Sequence, residues 1–255
     1  MNLGELLSEL RDNILHDRSD RVAGTSDWLW SDATLVRYIN EAQKRFARRG
    51  LVIRDGVTPD VCQIILGAGQ NVYNLHPSIL AVISAHRDGD NADLKRAGHA
   101  AFDTYSSPDT YYFDPAQIDQ LPPGKPLAYS TDEYLAGDDY DSMGVSTLRL
   151  YPTPSAEYAG TTLRLRVIRM PLDELVPTRL KAVPEIPQEH HLEMLDWAAY
   201  LALRIVDVDA GMPQRAAEFR VSFDDHVKNA RNAAMRKLFS PLQWGYGRNG
   251  FTWER

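Results

Sequence analysis

The residues best suited to metal chemistry are His190 and His191, flanked by Glu189 and Glu193, because imidazole and carboxylate at helical spacing can chelate zinc. Their spacing fits neither H-E-x-x-H nor H-x-x-E-H, since Met194 stands where a second histidine belongs. They read instead as polar residues of a first helical turn, where carboxylates suit the positive end of the dipole. Asp88, Asp90 and Asp93 imitate a calcium loop, but Ala92 holds the fifth position, Asp93 the glycine position and His99 the closing position. Asp139, Asp141 and Gly144 match the same loop at three positions, and Leu150 replaces its bidentate glutamate. With Asp138 they read as solvated acidic loop residues. No G-x-S-x-G elbow, P-loop or strand-borne G-x-G-x-x-G occurs, so the residues point to no catalytic group, no metal and no cofactor.

The other chemistry is cationic. Arg164, Arg166 and Arg169 lie in a segment, Thr161 to Arg169, where Leu163, Leu165 and Val167 alternate with polar positions. Such alternation means a strand with one packed face and one open face, and the arginine row is placed on the open one. It can grip phosphates, or pair with acidic groups of a neighbouring subunit. The chain has 35 acidic against 28 basic side chains, a formal net charge of -7, which opposes close approach to nucleic acid and favours the intersubunit role. Cys62 is the only cysteine, so no intramolecular disulfide forms, and the Met1 to Arg11 stretch lacks the basic and apolar regions of a signal peptide. No apolar run approaches the ~20 residues that cross a bilayer. Folding in a reducing cytoplasm, away from membranes, is the simplest expectation.

The elements that carry these residues follow from the periodicity. Leu3, Leu7, Leu10 and Ile14 predict a first helix to about Leu15, and Asp17 to Asp27 reads as a loop. Ser31 caps a second helix with Leu35, Ile39, Ala42 and Phe46 on its buried stripe; Arg48 and Arg49 close it, and Gly50 is expected in the left-handed cap. Val61 to Leu66 and Val72 to Leu75 read as a hairpin about the Gly67 to Gln70 turn, followed by a strand at Ile79 to Ala85. Short strands and long loops fill Asp88 to Asp141, and strands at Leu148 to Tyr151 and Thr161 to Arg169 end the β-rich region.

Pro187 is expected to open a third helix running to about Val208, apolar on most sides, with Leu192, Leu195 and Leu203 on one of them. A fourth helix after Pro213 packs antiparallel to it through Ala216, Phe219, Phe223, Val227 and Ala230, and its pattern stops at Phe239. The fold class is therefore α+β: bundle helices in 1–55 and 173–239, a β-rich insert in 56–172, and an extended tail in 240–255.

Three phrases carry a resemblance: Y-N-L-H-P (Tyr73 to Pro77), L-R-L-Y-P-T-P (Leu148 to Pro154) and P-E-I-P-Q-E-H-H (Pro184 to His191) before an alanine-rich helix. Together with the order of elements they make the whole chain resemble the phage head-to-tail adaptor family, which includes the tubular tail protein A of short-tailed phages. The resemblance implies a non-enzymatic ring subunit, usually one of 12 copies, in the virion neck between the portal protein and the tail nozzle or tail tube. It implies assembly in the host bacterial cytoplasm. The bundle would surround a channel through which DNA passes without specific binding, with Asp138, Asp139 and Asp141 as acidic channel or loop residues. The C-terminal extension would reach the portal.

The tail supports docking on its own terms. Ordering the residues from Ser240 to Arg255 costs on the order of 16 to 32 kcal/mol. Burying Trp244, Tyr246, Phe251 and Trp253, with Arg248 among them, contributes roughly 15 to 25 kcal/mol. The near balance predicts a segment that orders against a preformed groove. Two other function classes stay open on sequence: a metal-dependent hydrolase built on His190 and His191, and a nucleic-acid-binding module using the arginine strand and the fourth helix.

Overall fold

The computed structural model describes residues 1–17, 29–96, 122–133, 144–204 and 212–250, with the backbone alone at 132–133, 212 and 238–250. The chain divides into two compact units, one made of Met1–Ile53 with Pro171–Arg255 and the other of Arg54–Met170. The first is helical and joins the two ends of the chain; the second is the β-rich insert, and the fold is α+β.

In the helical unit, Asn2 caps α1 (Leu3–Ser8) reciprocally: its Oδ1 accepts from Glu5 N at 2.9 Å while Glu5 Oε2 accepts from Asn2 N at 3.0 Å. From Glu9 the coil widens into a π-helical segment (Glu9–Leu15) that ends at left-handed His16. The expected element keeps its extent but changes its winding. With five residues rather than four between stacked positions, Leu15 follows Leu10 into the core and Ile14 is only half-buried.

Ser31 Oγ accepts from Thr34 N at 3.2 Å and starts α2 (Asp32–Gly50), whose Leu35, Ile39, Ala42 and Phe46 are fully buried as the spacing predicts. The left-handed residue that ends α2 is Leu51 (φ 55°), not Gly50. Gly50 stays helical, and its lack of a side chain serves close packing: a Cβ there would lie 3.3 Å from Val52 Cγ1 and 3.5 Å from the Phe46 ring. Pro187 stands just before a 3-10 turn (Gln188–His190), and α helix resumes only as α4 (Leu195–Leu203), numbered after the short α3 of the insert. Leu192 falls in the intervening turns and is 53% exposed, contrary to its expected place in the core. Residues 205–208 of the expected helix lie outside the described residues. Met194, Leu195, Ala198, Ala199 and Ala202 are completely buried. The last helix, α5 (Met212–Gly250), has 39 residues and runs past Phe239, where the apolar pattern ends.

The insert contains β1 (Arg54–Asp55), α3 (Pro59–Cys62), β2 (Gln63–Ile65), β3 (Val72–Asn74), β4 (Ile79–Arg87), β5 (Lys95–Arg96), β6 (Ala128–Glu133), β7 (Val145–Tyr151) and β8 (Thr162–Arg169). They form two four-stranded sheets. In one, β8 pairs antiparallel with β1, β2 and β4; in the other the order is β3-β7-β6-β5, with β5 parallel to β6. The expected hairpin is absent, because β2 pairs with β8 (Ile64 opposite Leu163) and β3 with β7 (Tyr73 opposite Leu148). The turn between them sends the chain from one sheet to the other. Gly69 (φ 71°) supplies its left-handed position, and Tyr73 OH fixes it by accepting from Gly67 N at 3.0 Å and donating to Gln70 O at 2.8 Å. The start of the expected first strand is instead helical: Pro59 opens α3, which buries Val61 and Cys62. Leu163, Leu165 and Val167 of β8 face a second core with Leu148, Leu150 and Tyr129.

Candidate assembly interface

What holds α5 is a meeting of rings. Phe223 is fully buried, with the Trp197 centroid 5.1 Å away and the Phe46 ring edge-on at 5.8 Å. Arg45 of α2 stacks its guanidinium 4.1 Å from the Trp197 centroid, and His190 lies 5.0 Å from Phe46. A polar rim surrounds this hub. Ser222 Oγ donates to Asp196 Oδ2 at 2.6 Å, and His226 stands between Glu193 (3.4 Å) and Asp196 (3.6 Å). Burial raises the Asp196 carboxyl above its usual range, against the opposing pull of Ser222 and His226. Arg49 pairs with Asp224, and Arg215 donates to Ile14 O at 3.0 Å.

The histidine doublet is divided between two environments. His190 Nδ1 lies 2.6 Å from Glu193 Oε2, on the polar rim. His191 is 1% exposed, its Nε2 3.0 Å from Ile186 O and its Nδ1 3.0 Å from the Met1 amine. Donating to the Ile186 carbonyl leaves Nδ1 as the acceptor for the ammonium, and burial holds the ring below its ordinary pKa. Among the described residues no three His, Cys, Asp or Glu side chains are placed to hold a metal ion. Asp88 and Asp90 are engaged by cations, Asp88 by Arg164 and Asp90 by Arg87 and Lys125, and Asp93 Oδ1 lies 3.1 Å from His86 Nδ1.

The arginine row separates. Arg164 is exposed and grips Asp88 through two bonds, Nε–Oδ1 at 2.7 Å and Nη2–Oδ2 at 3.1 Å, which holds the Asp88 carboxyl below its usual range. Arg166 is exposed and makes no ion pair among the described residues. Arg169 is on the packed face, not the open one, since odd positions of β8 point inward; it is 9% exposed and lies 2.6 Å from Asp55. Of the expected docking residues, Trp244, Tyr246 and Arg248 lie on helical backbone, with side chains outside the described residues. Phe251 and Trp253, like Asp138, Asp139 and Asp141, lie outside the described residues altogether.

A protein-family model described as the SU10 adaptor protein matches residues 1–245. The chain belongs to the SU10 adaptor protein family. It is a phage structural adaptor, and the match covers both units and most of α5. The match supports the phage-adaptor resemblance and does not extend to tubular tail protein A. No curated protein matches the adaptor. Among the described residues, no helix is long and apolar enough to cross a membrane.

The hub that anchors α5 in this adaptor was only half legible. Phe46 and Phe223 stand out from their spacing, whereas the polar rim of Glu193, Asp196, Ser222 and His226 depends on the register between two helices that the sequence sets side by side without fixing how they align. One signal was in plain view: after Asp225 no acidic residue occurs until Glu254.

Proposed function

We propose that this adaptor is a ring subunit, one of 12 copies, in the neck of a phage particle. It joins the portal protein to the tail nozzle or tail tube and leaves a passage for DNA, after assembly in the host bacterial cytoplasm. The observation that carries the reading is α5. Its 39 residues make a rod about 58 Å long, roughly twice the length of α2 and several times that of α4. Phe223, Val227, Ala230 and Ala234 bury its first part in the helical unit, and the helix continues to Gly250. A helix anchored at one end and longer than its neighbours suits a part that enters another ring. In this reading Trp244, Tyr246, Arg248, Phe251 and Trp253 make the portal contact, Arg166 faces a neighbouring subunit, and Asp138, Asp139 and Asp141 border the channel or its loops. Helical backbone shortens the reach: eleven residues from Ser240 to Gly250 span about 16 Å rather than the ~35 Å of an extended chain.

The test is electron microscopy of purified portal rings mixed with the full chain or with a chain ending at Lys237. An added ring with the full chain, and none with the truncated one, is the expected result. A ring of equal occupancy with the truncated chain would remove the docking role, and no ring with either would remove the portal-joining role.

A further inference from the structure

The net charge of -7 hides an uneven distribution. Residues 1–225 hold 34 of the 35 acids and 22 of the 28 basic residues, a balance of 22 minus 34, or -12. Residues 226–253 hold Lys228, Arg231, Arg236, Lys237 and Arg248 and no acid at all, a balance of +5. At the overall acid frequency about four carboxylates would fall in a stretch of that length.

The structure gives this run a geometry. On α5, Val227, Ala230 and Ala234 are buried, so the opposite side of the helix faces outward. That side carries Lys228, Asn232 and Arg236 at i, i+4 and i+8, all exposed, with Asn229 exposed beside them; Lys237 is exposed too, one turn past Ala234 on the line of the packed face. Lys228, Arg236 and Lys237 make no ion pair among the described residues. Before it the outward charges are of both signs, Glu218, Arg220 and, one turn before Lys228, Asp225, so the acids end at Asp225. The result is a line of hydrogen-bond donors about 12 Å long, with Asp225 at its start and no carboxylate along the rest of it.

Protein–protein interfaces deplete lysine. A polyanion instead requires one sign only and takes Lys, Arg and Asn as phosphate donors. We infer that the outward face of α5 from Lys228 to Lys237 binds the phosphate backbone of duplex DNA without reading its sequence. This deepens the passage for DNA in the reading above and rests on it: the conduit is not uniformly repulsive but bears a weak electrostatic contact on α5, while the acidic remainder limits adhesion elsewhere.

The experiment measures binding of the full-length protein to a 5′-labelled random-sequence duplex of about 20 base pairs by fluorescence anisotropy. For three phosphate contacts the affinity should fall about 40-fold between 50 and 200 mM salt. Lys228→Gln/Arg236→Gln/Lys237→Gln should lose binding by at least about tenfold at 50 mM. The single variants Lys228→Gln and Arg236→Gln should each lower the slope of log affinity against log salt by about 0.9, which keeps the test open if the triple variant folds poorly.

The inference is overturned by no binding at 50 mM salt, by unchanged binding in the folded variants, or by loss of binding in Arg164→Gln/Arg166→Gln instead. It is also overturned if a polyglutamate peptide displaces the duplex at equal charge concentration, which would assign the face to an acidic protein surface. Duplex binding needs no portal and ring attachment needs no DNA, so the two readings fail separately.

Discussion

Removing one member of the Asp55–Arg169 pair should destabilise the β-rich unit by an amount that depends on which member is removed. Both side chains are nearly out of water, at 7% and 11% exposure, and Arg169 Nε lies 2.6 Å from Asp55 Oδ2. Asp55 has further partners: Thr58 Oγ1 donates to it at 2.6 Å, Val57 N at 2.9 Å and Thr58 N at 3.1 Å. Burial alone would raise its carboxyl, but Thr58, the two backbone amides and Arg169 together hold it well below the usual carboxylate range. Arg169→Leu therefore leaves a carboxylate that keeps three hydrogen bonds, and the expected cost is about 1–3 kcal/mol.

Asp55→Ala takes the carboxylate from a buried guanidinium, which keeps its 3.0 Å bond to Met170 O, and uncaps the turn into α3 as well, so about 3–5 kcal/mol is expected. Urea unfolding followed by hydrogen exchange of β1 and β8 peptides measures both. All five tryptophans belong to the helical unit, so their emission serves as an internal reference. The pH sign follows from the lowered carboxyl: its contribution is full above the unfolded value of about 3.9 and is lost as pH falls toward the folded value. The wild type should thus lose stability in this unit below about pH 4, and Asp55→Ala should show a flatter acid limb. An Arg169→Leu cost equal to or above that of Asp55→Ala, or both below about 0.5 kcal/mol, would refute the reasoning.

Phe223→Ala should cost about 3–5 kcal/mol and red-shift tryptophan emission, because it empties the space between Phe46 and Trp197. Cys62 is fully buried, and burial, with the nearby Asp55 charge, pushes its thiol up to about 11. Alkylation by iodoacetamide at pH 8.5 should be slow in the native protein and fast in urea, and equal rates would contradict the assignment.

Much of the helical unit could be read from residue order. Leu35, Ile39, Ala42 and Phe46 recur at a spacing that only a helix brings to one side, and Ser31 marks its start through a side chain that acts within one turn. The left-handed end of α2 was misplaced by one residue because close packing, not turn preference, demanded Gly50. Likewise Leu10 and Leu15 share a face only in a π-helical segment, and no four-residue period signals that. The hairpin failed for a similar reason: β2 and β3 each match a strand pattern, but pairing partners lie about 75 to 100 residues on, and alternation says nothing about which strand is opposite.

By itself the sequence determined the helical character of α2 and of the first part of α5, the inward Leu163, Leu165 and Val167 of β8 and the break in charge after Asp225, since each is written in the order and period of neighbouring residues. The tertiary structure alone decided that Arg169 pairs with Asp55, that His190 and His191 part company, and that Lys228 and Arg236 face outward from the core that Phe223 anchors. Those depend on distances between segments remote in sequence, where burial and partner geometry, rather than residue type, set what a side chain can do.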